Sequence, residues 1–269
     1  ICRLFSTTHT PDSIITRHMN KLISPENRWK KLTFFHKFFR KISPKYFNKV
    51  DFFIRSYPYK KNYDSRELDF DWKGMQFNRI ALVNKILTKF GKNAKYLEIG
   101  CAGDSLFNSI PLIDKVGIDP ESGGTIKTTS DNFFSTNKDF FNVVFIDGLH
   151  EYHQVQRDFE NALESVPVGG VICFHDMIPR NWIEANIPAI HDGSWTGDVW
   201  KIAFELINSE GIEFKIIPID HGIGVVKKVA QSASLAKDNK KLDGEGYSFL
   251  LDNFDDLPIT SWNEFVEWI

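Results

Sequence analysis

The run Tyr96-Leu97-Glu98-Ile99-Gly100-Cys101-Ala102-Gly103 decides the reading of this chain. A short apolar stretch carries Glu98 and ends in a glycine turn, the form of a buried strand handing over to a helix. A second strand ends in Gly117-Ile118-Asp119. Each strand tip therefore holds a carboxylate, and two acidic tips repel a phosphate while attracting hydroxyls and cationic groups. The dinucleotide fingerprint needs G-x-G-x-x-G, but residues 100–105 read Gly-Cys-Ala-Gly-Asp-Ser, which is G-x-x-G. The missing glycine, with Glu98 and Asp104, argues against a pyrophosphate ligand. Asp119 lies 19 residues past Gly100, close to the spacing of about 20 for a carboxylate that grips ribose hydroxyls.

Outward from this run, strands and helices alternate. The patterning predicts strands over 95–99, 115–118, 142–146, 170–175, 213–218 and 222–227, with a short one near 125–128. It predicts helices over 75–90, 105–110, 132–136, 152–166 and 197–209. In the first helix Phe77, Ile80, Ala81, Val83, Ile86 and Leu87 share one face, and Gly91 stops it. Such alternation predicts an α/β domain, a mostly parallel sheet with helices on both faces. The last two strands, joined by a tight turn at 219–221, must form an antiparallel hairpin.

The 269 residues, 42% hydrophobic and 25% charged, suit one sizeable domain with appendages. Three parts are expected: a basic, aromatic, helical extension over 1–74, the α/β domain over 75–228, and an acidic then aromatic tail over 229–269 that packs back on it. Within the tail, 237–246 reads as a mobile loop. No uninterrupted apolar run reaches the roughly 18 residues of a membrane span. The three cysteines, Cys2, Cys101 and Cys173, lack metal-site spacing and read as reduced thiols, so a cytoplasmic protein is expected. The net charge of −2 hides an asymmetry: residues 1–61 carry +11 and the remainder −13. The basic arm either folds onto the acidic body or docks on a membrane surface, a nucleic acid or a partner. Its stretch 29–41, bracketed by Pro25 and Pro44, carries aromatic and basic residues at helical spacing. It reads as a packing face, with a peripheral membrane anchor as the alternative.

Two further blocks carry chemistry. Phe145-Ile146-Asp147-Gly148-Leu149-His150-Glu151-Tyr152 places Asp147 at a strand tip and His150 just beyond. Phe174-His175-Asp176-Met177-Ile178-Pro179 ends the next strand. Neighbouring strands lie about 5 Å apart, so Asp147, His175 and Asp176 converge on one point. A lone His–Asp pair is usually structural, but three polar groups at adjacent tips of the expected cleft favour function. They suit a divalent cation or a general base with its orienting partner. Thr129-Ser130-Asp131-Asn132-Phe133-Phe134 reads as a helix start capped by Ser130 or Asp131. The same loop, beside the Asp119 tip, is placed to touch an adenine ring. Trp195-Thr196-Gly197-Asp198-Val199-Trp200-Lys201 is a capped helix start or, overhanging the same edge, part of an acceptor pocket.

Together the blocks Y-L-E-I-G, V-G-I-D-P, T-S-D-N-F-F, F-I-D-G-L-H-E-Y, R-D-F-E-N-A-L and G-G-V-I-C-F-H-D-M-I-P resemble the class I S-adenosylmethionine-dependent methyltransferases over roughly 75–228. Within them the chain is similar to the subgroup with D-G-x-H-x-Y and H-D blocks, associated with sugar, polysaccharide or natural-product modification. The resemblance implies a Rossmann-like three-layer sandwich with a seven-stranded, mostly parallel sheet ending in the antiparallel hairpin. It implies that Glu98, Gly100, Cys101 and Gly103 frame the methionine part of S-adenosylmethionine, with Asp147 beside it. Asp119 then holds the ribose, and Ser130 and Asp131 lie by the adenine. Metal-dependent relatives use a carboxylate at the Asp147 position and an acid–acid or acid–amide pair at that of His175–Asp176. Asp147, His175 and Asp176 are thus the implied ligands of Mg²⁺, although magnesium prefers oxygen and this chain places a histidine first. The implied reaction moves a methyl group in line from sulfonium to an acceptor oxygen, with His150 or His175 as base and Asp147 in the same catalytic cluster. The expected acceptor is a small molecule or glycan. Nucleic acid is disfavoured, since no N/D-P-P-Y/F block is present. A binding module without activity and an NAD-dependent oxidoreductase are the rival readings.

Overall fold

All four residues of strand β1 (Tyr96–Ile99) are buried, and the strand lies inside a seven-stranded sheet of order β3-β2-β1-β4-β5-β7-β6. The structure, a computed structural model, describes residues 51–69, 75–191 and 193–269. The basic stretch 29–41 and Cys2 lie outside the described residues. The chain divides into two units, Ile1–Tyr57 and Pro58–Ile269. In the first, the described residues 51–56 are helical.

The second unit holds the sheet. Strands β2 (Lys115–Asp119), β3 (Ile126–Lys127), β4 (Val143–Ile146) and β5 (Val171–Phe174) run parallel with β1. Strands β6 (Ile212–Ile217) and β7 (Ile223–Lys228) form the antiparallel hairpin, and β7 pairs with β5. This is the Rossmann-like, seven-stranded sheet read from the sequence. Register is what positions the site: Ile99 pairs with both Ile118 and Ile146, and Ile146 with Phe174. Gly100, Asp119, Asp147 and His175 are the next residues along, so they emerge together at one edge.

Side chains alternate across the sheet, as strand geometry requires. Tyr96, Val143, Phe145 and Cys173 enter one core with Leu82, Val83 and Ile86 of helix α1 (Arg79–Leu87) and Leu106 and Phe107 of α2 (Ser105–Ser109). On the other face Phe159 of α4 (Tyr152–Ser165) packs against Phe174, ring centroids 5.6 Å apart. Helix α3 (Ser130–Thr136) lies beside α4, and α5 (Lys201–Leu206) follows the segment after β5. The polar tail carries α6 (Asn239–Leu242), α7 (Tyr247–Asp252) and α8 (Trp262–Trp268). Phe265 of α8 is fully buried in the first core, and Trp262 stacks on Phe77 at 4.1 Å. Among the described residues no helix is long and apolar enough to cross a membrane.

Several boundaries differ from the sequence reading. Helix α1 starts at Arg79 rather than 75 because Asn78 Oδ1 accepts the N–H groups of Ile80 and Ala81, at 3.1 and 3.3 Å. Helix α3 is capped by Thr129, whose hydroxyl accepts from Asn132 N, not by Ser130 or Asp131. Residues 197–200 form turns before α5 instead of its first turn. The stretch read as a mobile loop, 237–246, contains α6, whose Leu242 is buried. There, Asp238 N donates to buried Glu205 at 2.7 Å.

Candidate active site

The turn after β1 needs Gly100 in particular. It adopts φ +83°, and a Cβ there would lie 2.1 Å from the Asp147 carbonyl oxygen. Only a glycine lets the tips of β1 and β4 approach this closely. Ala102 and Asp104 follow with φ of 44° and 59°, a left-handed conformation that costs a non-glycine residue about 1 kcal/mol or more. Asp104 holds the turn to the β2–β3 loop by accepting Gly124 N at 2.7 Å. Cys101 lies buried in this turn with its thiol 3.7 Å from the Glu98 carbonyl.

Beyond that turn opens a cleft of about 860 Å³, lined by Gly100, Cys101 and Gly103 at its floor. Glu98, Asp119, Ser130 and Asp131 line it, and so do Asp147, His150, His175 and Asp176 from the tips of β4 and β5. The expected cofactor, metal and base residues thus share one space, whereas the segment 195–201 does not line it. Glu98 is buried and accepts the Tyr96 hydroxyl at 2.6 Å, yet burial pushes its pKa up to about 7. Asp119 behaves oppositely. Burial alone would raise its pKa, but N–H groups of Ser122, Ala102 and Glu121 outweigh that and lower it. Glu121 N and Ser122 N reach Oδ1 at 2.8 Å each, and Ala102 N reaches Oδ2 at 3.0 Å. Cys101 N–H adds to these three, so backbone donors from both sides hold the carboxylate ionised at the edge of the cleft.

The β4–β5 side is a charged cluster. His175 Nδ1 lies 3.1 Å from Asp147 Oδ1 and 3.0 Å from Asp176 Oδ2. Asp176 takes φ +62°, again left-handed for a non-glycine residue at a strand tip. His150 Nδ1 donates to the Trp195 carbonyl at 3.0 Å, since a carbonyl can only accept, and its ring stacks on Trp195. This bond leaves Nε2 as the basic nitrogen of a neutral ring, 3.4 Å from Asp147 Oδ1. For both histidines burial would lower the pKa, but the carboxylates of Asp147 and Asp176 reverse this and raise it, strongly for His175. Burial likewise opposes ionisation of Asp147, and His175, His150 and Arg79 overcome it, holding its pKa low.

Four participants escaped sequence reasoning. Arg79, the first residue of α1, reaches Asp147 Oδ2 at 2.9 Å and Asp220 Oδ2 at 3.2 Å, and its guanidinium also lies 2.9 Å from His175 Nε2. Asp220 comes from the β6–β7 turn. Gln154 and Asp158 of α4 join Ser130 and Asp131: Gln154 Nε2 lies 3.1 Å from Ser130 Oγ and 2.9 Å from Asp158 Oδ1. Burial raises the Asp158 pKa to about 6. Only Asp158 had a signal, an acid on the apolar face of α4, with Val155 three residues before it and Ala162 four residues after it, both buried. Of the segment 195–201, Trp195 lies against His150, whereas Asp198 serves the fold by accepting Tyr152 N at 2.7 Å at the start of α4.

Residues 113–177 match a family model described as a methyltransferase domain, a stretch that contains Asp119, Asp147, His150, His175 and Asp176. No curated protein matches the chain in sequence. Among solved structures, a Corynebacterium glutamicum protein is 18% identical, with a TM-score of 0.38 over 56% of this chain and 82% of that one. MycE methyltransferase of the mycinamycin biosynthetic pathway, solved with Mg and S-adenosylhomocysteine, is 16% identical, with a TM-score of 0.40 over 56% of this chain and 49% of its own. The O-methyltransferase TomG of Streptomyces achromogenes, solved with S-adenosylmethionine, is 14% identical, with a TM-score of 0.38 over 55% and 78%.

Proposed function

We propose that this chain is an S-adenosylmethionine-dependent methyltransferase acting on a hydroxyl oxygen of a sugar, glycan or other small acceptor. The observation that carries the proposal is that one cleft is lined both by two carboxylate-tipped strands and by an imidazole–carboxylate cluster. The residues fit the cofactor: the ionised Asp119 carboxylate lines the cleft, and so do Gly100 and Gly103 of the turn after β1. S-adenosylmethionine, when bound, supplies a methyl group on a sulfonium.

The chain's own residues do the rest. Asp119 accepts from ribose hydroxyls. Ser130, Asp131 and Gln154 offer polar partners to the adenine edge. Glu98, poised near neutrality, ionises against a ligand ammonium. A neutral acceptor hydroxyl is a poor nucleophile, and His150 Nε2 takes its proton. The Trp195 carbonyl holds the ring in that tautomer, and Asp147 and Asp176 stabilise the resulting imidazolium. Holding donor and acceptor in line contributes several kcal/mol, up to roughly 7–11 in favourable cases. The donor set of Asp147, His175 and Asp176 also fits a cation, because their ligand atoms lie within 4.8 Å of one another and His175 Nδ1 is buried without a hydrogen-bond partner. Such an ion would lower the pKa of an acceptor hydroxyl.

Calorimetric titration with S-adenosylmethionine and S-adenosylhomocysteine tests the reading. Micromolar binding is expected, weakened by about tenfold or more in Asp119→Asn, which keeps the side-chain shape and loses the charge. No binding to either compound, or tight NADH binding instead, overturns it.

A further inference from the structure

The cluster at the tips of β4 and β5 contains an imidazole nitrogen with a specific geometric demand. His175 is 6% exposed, and its Nδ1 has no hydrogen-bond partner. Asp147 Oδ1 and Asp176 Oδ2 nevertheless lie only 3.1 and 3.0 Å away. The ring therefore meets neither carboxylate at a hydrogen-bonding angle. One ligand atom from each of Asp147, His175 and Asp176 lies within 4.8 Å of the others, close enough to share one ion.

We infer that this cluster is built to select an imidazole-accepting transition-metal dication, such as Mn²⁺, Co²⁺ or Zn²⁺, over magnesium. The inference deepens the proposed function at the same site and rests on that reading for the use of the ion, not for its binding. Magnesium demands oxygen donors in near-ideal octahedral geometry. Imidazole suits the later first-row metals, whose affinity rises along the series from manganese to copper. One of the three donors here is nitrogen. The outer surroundings fit as well. A histidine bound through Nδ1 carries its proton on Nε2 and hands it to a carboxylate or carbonyl. Asp220 Oδ1 lies 3.6 Å from Nε2 and is the carboxylate at hand. The Arg79 guanidinium also faces Nε2, at 2.9 Å. Two N–H groups cannot point at each other, so loading requires Arg79 to yield Nε2 while it keeps Asp147 Oδ2 and Asp220 Oδ2.

The full chain is titrated by calorimetry with MnCl₂, CoCl₂ and MgCl₂, and the visible absorption of the cobalt form is recorded. S-adenosylhomocysteine binding without metal is measured in parallel, so that loss of the cofactor reading and loss of this one are told apart. Mn²⁺ and Co²⁺ are expected to bind roughly 100-fold tighter than Mg²⁺, with the gap closing by about tenfold or more in His175→Asp. Asp176→Asn is expected to weaken all three ions without reordering them. Equal affinity for Mg²⁺ and Mn²⁺ in the unmodified chain overturns the inference, whether or not either variant folds. So does the absence of binding by any of the three ions.

Discussion

Glu98 sits buried between a tyrosine hydroxyl and an open cleft, and that position makes its charge negotiable. Its folded pKa of about 7 stands above the ordinary 4.5. The unfolded chain therefore releases this proton first, and from about pH 4.5 to 7 the group erodes stability as pH rises. Ligand binding runs the other way, because an ammonium-bearing ligand favours the ionised carboxylate. S-adenosylhomocysteine affinity is expected to rise as pH passes through about 7, and to lose that rise in Glu98→Gln. Calorimetry across pH 5.5 to 8.5 reads the difference, and an unchanged profile in the variant removes Glu98 from the site. His150 gives the complementary case. His150→Gln is expected to lower methyl transfer by about 10²–10⁴-fold while S-adenosylhomocysteine binding stays within a few-fold of the unmodified chain. A parallel loss of both would mark the ring as structural.

The elements place these side chains through contacts that often span far in sequence. Helix α4 begins without a side-chain cap of its own, and Asp198, 46 residues later, takes the Tyr152 N–H. Its far end is closed by buried Lys228 of β7, whose ammonium donates to the Leu163 and Val166 carbonyls at 2.8 and 3.0 Å. A cation there also complements the helix C-terminus. Lys228→Met is expected to cost about 2–4 kcal/mol in urea unfolding, since it strands two buried carbonyls. A loss under 0.5 kcal/mol would show that water replaces the ammonium. Apolar periodicity made α4 and the buried strands readable, whereas the start of α1 was missed. Asn78 is a cap only because of a local geometry that competes with continuation of the apolar face from Phe77. That start matters because it is the residue after the cap, Arg79, that enters the cleft.

At the scale of the molecule, the site follows from strand order. The chain leaves β1 for β2 and β3 on one side, then returns to lay β4 and β5 on the other. Loops from β1 and β4 therefore diverge, and the cleft opens between them at the switch point where ligands bind in such sheets. The tail completes the core that α1 and α2 form with the sheet. Phe265→Ala is expected to destabilise the protein by about 3–5 kcal/mol, read as a shift in the urea midpoint, because its ring is fully buried beside α1. A loss below 1 kcal/mol would mean that α8 docks without supporting the core. By itself the sequence determined the class of fold, the strand tips and the convergence of Asp147, His175 and Asp176, since these depend on period, turn chemistry and strand spacing. Only the tertiary structure decided the Arg79–Asp220 pair, the tautomer of His150 and the pKa of Glu98. Each of those depends on through-space neighbours and on burial, which no local pattern encodes.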